Sequence, residues 1–164
     1  ELVIEVLNHY LAEVGDAVLD AGGTLVAYLG DGVMSVFGAP IASDDHASRA
    51  VEVARQIIGP RLTAFNDWLR QRGIDNQFEI GVGLNSGPLM SGNVGSARRL
   101  EYAAIGDTTN TAARVESLTK DYGVPLLLTQ TTVDQLGDAT HDLKFVDEVA
   151  PRGRSGSVRL WTVQ

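Results

Sequence analysis

The 164-residue sequence predicts an α+β fold. Three observations carry that expectation. Stretches with apolar residues at helical spacing alternate with short β-rich runs. The Asp31-Gly32 pair separates two such runs, a strong hairpin signal because a tight turn needs positive φ and Gly supplies it. Strands fall beside one another as hairpins without a clean βαβ rhythm, an arrangement that packs helices on one face of a sheet.

The elements follow in order. Leu2, Val3, Val6, Leu7, Tyr10, Leu11, Val14, Val18 and Leu19 keep helical spacing over residues 2–20, closed by Ala21-Gly22-Gly23. A hairpin covers about 24–37 around Asp31. Ser43 with Asp44 and Asp45 marks the next helix start, since acids favour the positive end of the dipole. That helix runs through Ala50, Val51, Val53, Ala54, Ile57 and Ile58, and Gly59-Pro60 should kink or break it. Helical spacing resumes through Leu62, Phe65, Trp68 and Leu69 and stops at Gly73.

Phe78 to Leu84 reads as a buried strand, and Gly87, Gly92 and Gly95 mark a glycine-rich turn region. Leu100 to Ile105 is a further strand. Thr108 to about Lys120 is a helix, with Asp107 as its N-cap. Val124 to Leu128 is a short strand, Thr131 to Leu136 a short helix, and Leu143–Val149 with Val158–Val163 a closing pair. The length suits one domain with a sizeable core.

Bulk composition narrows the function. Lys plus Arg is 13 against 21 Asp plus Glu, a net charge of −8. Non-specific nucleic-acid binding is disfavoured by that balance, while a small anionic ligand can still meet a local pocket. The absence of Cys excludes disulfides and thiolate metal sites, and fits a reducing, cytoplasmic setting. No apolar run is long enough to cross a bilayer, and the N-terminus lacks a basic leader, so no membrane contact by this chain is expected.

Several motif classes fail. Gly81, Gly83 and Gly87 have the wrong spacing for a dinucleotide fingerprint, and the first two lie inside a strand, where glycine means close backbone approach or a bulge. No phosphate loop of the G-x-x-x-x-G-K-[ST] type exists, and no G-x-S-x-G elbow. His9, His46 and His141 lack ligand spacing. Asn110 and Arg114, four apart on one helix, offer an amide and a guanidinium fork to one ligand, Arg being suited to phosphate. Taken alone, that pair also fits a solvated polar stripe. Arg152-Gly153-Arg154 is a small basic spot, most simply a turn.

In combination the segments "GGTLVAYLGDGVMSVFGAP", "DDHASRAVEVA", "IGVGLNSGPLMSGNVGS", "EYAAIGDTTNTAARVESL" and a late "RGR" are more specific. Their order and spacing resemble the catalytic domain of the class III nucleotidyl cyclases, nearest the bacterial adenylate-cyclase branch, from about residue 2 to the end. The resemblance implies a ferredoxin-like βαββαβ-type core, with residues 1–164 as one catalytic domain that lacks the family's first strand and its metal aspartate. It implies conversion of a nucleoside triphosphate to the 3′,5′-cyclic monophosphate and pyrophosphate, with two Mg²⁺ or Mn²⁺ ions, in sites formed across a head-to-tail homodimer. ATP is the expected substrate ahead of GTP.

Carried over by position, Asp31 matches a metal-binding aspartate, Asn110 the asparagine that orients the ribose, and Arg114 the arginine that stabilises charge on the α-phosphate. Arg152 falls where the family usually has a lysine on the terminal phosphates. Ala27 and Ala103 stand where adenylate cyclases place a lysine and an aspartate or threonine on the purine. Those two alanines, with the missing strand, motivate the alternative of a non-catalytic nucleotide-binding dimer module. The diguanylate cyclase signature Gly-Gly-Asp/Glu-Glu-Phe is absent from the hairpin, which reads Leu29-Gly30-Asp31-Gly32.

Overall fold

The structure is a computed structural model that describes residues 2–150 and 156–164. The chain forms two compact units, one comprising Glu1–Ile80 and Ser91–Ala104, the other Gly81–Met90 and Ile105–Gln164.

The first unit opens with α1 (Leu2–Asp20), followed by the antiparallel pair β1 (Thr24–Leu29) and β2 (Gly32–Val36). Its turn differs from the expectation in one detail. Leu29 pairs with Gly32, so the two loop residues are Gly30 and Asp31. Gly30 carries the positive φ of 68°, while Gly32 begins the strand. Positive φ at the first central position alone is the type II′ pattern, which places its glycine before the aspartate. Val26 forms a bulge, because Leu25 faces Ser35 while Ala27 faces Met34.

Helix α2 (His46–Gln56) starts after Asp45, without a side-chain cap. Asp45 instead accepts from Ser43 and pairs with Arg49 at 3.0 Å. The predicted break is present as a π-helical turn over Ile57–Arg61, in which Gly59 leaves helical geometry at φ −108°, ψ −106°. Helix α3 (Leu62–Gln71) follows. Val14, Ala17, Val18, Val51, Ala54, Ile57, Phe65 and Leu69 are buried and form the apolar interior of this unit. Aromatic contacts join α1 to α3: His9 stacks on Trp68 with ring centroids 4.0 Å apart, and the Arg72 guanidinium lies 3.9 Å over the same indole.

The expected strand from Phe78 is shorter than the sequence suggests. Only Val82–Leu84 forms β3, and it belongs to the second unit. Phe78 does not join a strand ladder: its N–H donates to Asn66 Oδ1 at 2.8 Å, and its carbonyl accepts from Asn66 Nδ2 at 3.1 Å. A single amide side chain thus takes the place of a partner strand. The glycine-rich region is also not a turn throughout. Met90–Ser96 is strand β4, paired with β5 (Arg99–Ile105) in a two-stranded arm. Gly95 permits the pairing, since its φ is 142° and a Cβ there would overlap the Arg99 carbonyl.

The second unit holds a four-stranded sheet in the order β3-β6-β8-β7, with β6 at Leu126–Thr129, β7 at Leu143–Val149 and β8 at Val158–Val163. β3 and β6 are parallel, in register Val82 with Leu126, Gly83 with Leu127 and Leu84 with Leu128. Their crossover is α4 (Asp107–Tyr122), so one parallel connection sits among the hairpins. The closing pair β7–β8 is antiparallel as expected, with a bulge at Val146. Leu126, Leu127, Leu128 and Leu160 are fully buried, and Val115 of α4 packs into the same core. The short helix expected at Thr131 to Leu136 is α5 (Gln130–Val133).

At the base of this unit Tyr122 donates its hydroxyl to Asp147 Oδ2 at 2.7 Å. That hydrogen bond, with one from the Glu148 N–H, holds the Asp147 carboxyl below the usual carboxylate range. No helix among the described residues is long and apolar enough to cross a membrane.

Candidate active site

Helix α4 carries the densest part of the site. Gly106 is its N-cap, and Asp107 is the first helical residue, one position inside the cap expected of it. The carboxylate still sits at the positive end of the helix dipole. The helix has two faces. Thr111, Val115 and Thr119 are buried at i, i+4 spacing, while Asn110, Arg114 and Ser117 lie on the exposed side. Asn110 and Arg114 therefore share an accessible face one turn apart, as their spacing predicts. The C-terminus closes on Gly123 in the left-handed conformation, with Gly123 N–H donating to the Lys120 carbonyl at 3.2 Å and Val124 N–H to that of Thr119 at 3.1 Å.

Three sequence features set α4 on its strand. A Cβ at Gly83 would overlap the Glu116 amide nitrogen and come within 2.7 Å of the Ala112 carbonyl oxygen. A Cβ at Gly81 would overlap the Thr119 hydroxyl, and one at Gly87 would meet that of Thr108 at 2.9 Å. The close backbone approach expected of glycines within a strand is present at Gly83, whereas Gly81 lies just outside β3 and meets side chains only. Between them, Asn85 donates from Nδ2 to the Thr108 carbonyl at 2.9 Å. Its Oδ1 accepts from Thr129 at 2.8 Å and from Thr131 at 3.1 Å. Ser86 and Thr132 extend the hydroxyl cluster at 3.1 Å. Neither Asn85 nor these threonines is visible as a functional group from motifs. The available signal was the period-two run Gly81, Gly83, Asn85, which puts all three on one side of an extended stretch.

Asp31, Ala27 and Ala103 lie in the first unit. Asp31 is exposed at the hairpin tip, and Ala27 is half-buried in β1 opposite Met34. Ala103 is half-buried in β5, next to Tyr102, whose hydroxyl is buried with no hydrogen-bond partner among the described residues. The structure thus groups Ala27 with Asp31 on one hairpin and Asn110 with Arg114 on one helix. Arg152 lies outside the described residues.

Asp31 has the hard oxygen donor that Mg²⁺ or Mn²⁺ requires. Among the described residues no three His, Cys, Asp or Glu side chains gather into a group able to hold a metal. One carboxylate is the right chemistry in too small a number, so these residues do not by themselves fit a two-metal centre.

Comparison with known families decides the wider assignment. The model of the adenylate and guanylate cyclase catalytic domain matches residues 1–164. The chain belongs to that family. Cyclase relatives align along nearly all of this catalytic domain. Adenylate cyclase 1 of Rhizobium meliloti (strain 1021) is 33% identical over 165 residues, covering 99% of the chain and 24% of that protein. The domain therefore spans about a quarter of that curated relative. Among solved structures, the guanylyl cyclase Cya2 superposes with a TM-score of 0.89 at 32% identity, covering 98% of this chain and 79% of that one. The adenylyl cyclase CyaB from P. aeruginosa gives a TM-score of 0.89 at 29% identity, covering 100% and 83%. The mixed α+β class read from the sequence is that of these cyclase domains.

Proposed function

We propose that this domain is the catalytic part of a nucleotidyl cyclase, acting on ATP in preference to GTP. The observation that carries the reading is the accessible Asn110–Arg114 face of α4, in a chain whose whole length matches the cyclase catalytic family. In this reading the ribose 3′-oxygen attacks the α-phosphorus. One O–P bond forms, the bond to the bridging oxygen breaks, pyrophosphate leaves, and the hydroxyl proton passes to water. Arg114 meets the charge that grows on the α-phosphate, where a guanidinium fork matches phosphate oxygens. Asn110 orients the ribose for in-line attack, and Arg152 holds the terminal phosphates. Asp31 would supply one carboxylate toward Mg²⁺ or Mn²⁺, whose other ligands are not among the described residues.

The preference for ATP rests on the relative named adenylate cyclase. Fold similarity does not separate the bases, because a guanylyl and an adenylyl cyclase superpose equally well. Ala27 and Ala103 offer no polar side-chain atom to either purine, so discrimination should be weak for a site of this class. A head-to-tail homodimer is supported by the β4–β5 arm. Met90, Val94, Leu100 and Ile105 are 73%, 52%, 62% and 52% exposed there, a run of apolar side chains that a second subunit would cover.

The test is product analysis. Concentrated protein is incubated with Mn²⁺ and either ATP or GTP, alongside Arg114→Ala. Cyclic AMP exceeding cyclic GMP is expected, falling at least about 100-fold in the variant, which removes a charge partner of the transition state. Specific activity should rise with protein concentration if two copies build the site. Full activity in Arg114→Ala would remove the assignment of that residue. Nucleotide-dependent stabilisation without product would favour the non-catalytic dimer module that Ala27 and Ala103 suggest.

A further inference from the structure

We propose that Asn85 is a positioning residue, which sets the axial register of α4 on β3 and so the placement of Asn110 and Arg114. The inference rests on the cyclase reading for its consequence in catalysis, and on geometry for the positioning itself.

Gly83 lies in β3 and residues 81 and 85 flank it, and all three positions meet α4, as the two-residue alternation of an extended stretch allows. Their contacts on α4 run in reverse order: Thr119 for Gly81, Glu116 and Ala112 for Gly83, and Thr108 for Asn85. The helix therefore lies antiparallel along the strand. Four strand residues span about 13 Å and the helix from Thr119 to Thr108 about 16 Å, so the two stay in contact over that length. The glycines fix how close the helix comes. They present no side-chain ridge, and so do little to stop the helix sliding along its axis.

The directional contact from this strand face is the Asn85 amide. The Thr108 carbonyl can only accept, so Nδ2 must face it, and the hydroxyls of Thr129 and Thr131 then donate to Oδ1. Thr129 is fully buried at the end of β6 and pairs there with Leu160, which makes the anchor part of the sheet. Thr108 is gripped a second time through its own hydroxyl, which donates to the Pro88 carbonyl at 2.6 Å, in the loop two residues before β4. Thr108 lies two residues before Asn110 and six before Arg114. A helix moves as a rod over that distance, so a slip at Thr108 displaces both ligand-facing side chains together.

The test uses the full-length protein that carries this domain. Asn85→Asp keeps shape and acceptor but turns an oxygen toward the Thr108 carbonyl. Two readouts are taken: kcat and KM for the triphosphate, and amide hydrogen exchange over residues 108–114. The expected result is a kcat at least about tenfold lower with KM within about threefold, since sub-ångström misplacement of catalytic groups acts mainly on the transition state. Exchange in the first turns of α4 should rise about tenfold while β6 and β8 keep their protection. Should Asn85→Asp fail to fold, Thr129→Val, which removes one donor behind Asn85, should give the same pattern at about threefold in kcat. A folded variant with kcat within twofold and unchanged exchange would overturn the proposal. If the parent protein forms no cyclic nucleotide, the cyclase reading fails, and the exchange comparison alone decides whether Asn85 holds the helix.

Discussion

Two helix contacts in this molecule are built in opposite ways. In the first unit, α1 meets α3 through stacked rings, with His9 on Trp68, Phe65 beside both and Arg72 over the indole. In the second, α4 meets β3 through absent side chains, with Gly83 letting backbone touch backbone, Gly81 making room for the Thr119 side chain and Asn85 adding directed hydrogen bonds. Rings are adjustable packing: a lost atom leaves a space that neighbours can partly fill. Backbone contact has no such slack. The helix that carries Asn110 and Arg114 is the one set without slack. A site that needs two side chains placed within a fraction of an ångström gains from being mounted this way.

Two substitutions probe that contrast and a third tests a bond outside both contacts, in decreasing order of expected effect. Phe65→Ala removes the fully buried ring of the first unit and should cost about 3–5 kcal/mol in denaturant unfolding. In the fraction that remains folded, kcat should stay near that of the parent. Gly83→Ala puts a methyl into the Glu116 backbone and should cost about 2–3 kcal/mol. Although less destabilising, it should lower kcat of the folded protein, because α4 must lift to accept it. If the folded Phe65→Ala protein lost as much kcat as Gly83→Ala, the contrast between adjustable and fixed contacts would be wrong.

Tyr122→Phe is the mildest. It removes the hydroxyl that holds the Asp147 carboxyl low. A depressed carboxylate contributes stability that is present above its unfolded pKa and lost as pH falls through the folded value. The variant should therefore be slightly less stable than the parent at neutral pH and equal to it in strong acid. Its Asp147 carboxyl, followed by NMR titration, should move up toward the ordinary range. An unmoved Asp147 would mean the hydroxyl is not its main support.

Much of this was legible in the sequence where one local rule decides one element. The α1 stripe, the break at Gly59-Pro60 and the β7–β8 pair all follow from spacing or from a residue that forbids continuation. The Asn110–Arg114 face was legible too, because four residues make nearly one helical turn. What escaped depends on partners distant in the chain. Phe78 looked like strand because it is apolar, yet Asn66 takes its backbone groups. Gly92 and Gly95 looked like a turn, yet they lie in a strand whose partner begins at Arg99. Asn85 carries no motif, and its part emerges only when Thr108, Thr129 and Thr131 arrive around it. The placement of Asp31 was anticipated at the hairpin tip, although the glycine that makes its turn is Gly30.

That turn also limits how the sequence can vary over generations. A two-residue type II′ loop has no spare length, with Leu29 already paired to Gly32 on either side. One inserted or deleted residue would change the loop class, or slip the strands by one and send every β2 side chain to the opposite face. The turn itself sets no side chain at position 27 or 31, but it fixes the four-residue step between them. Insertions and deletions should therefore be confined to other loops.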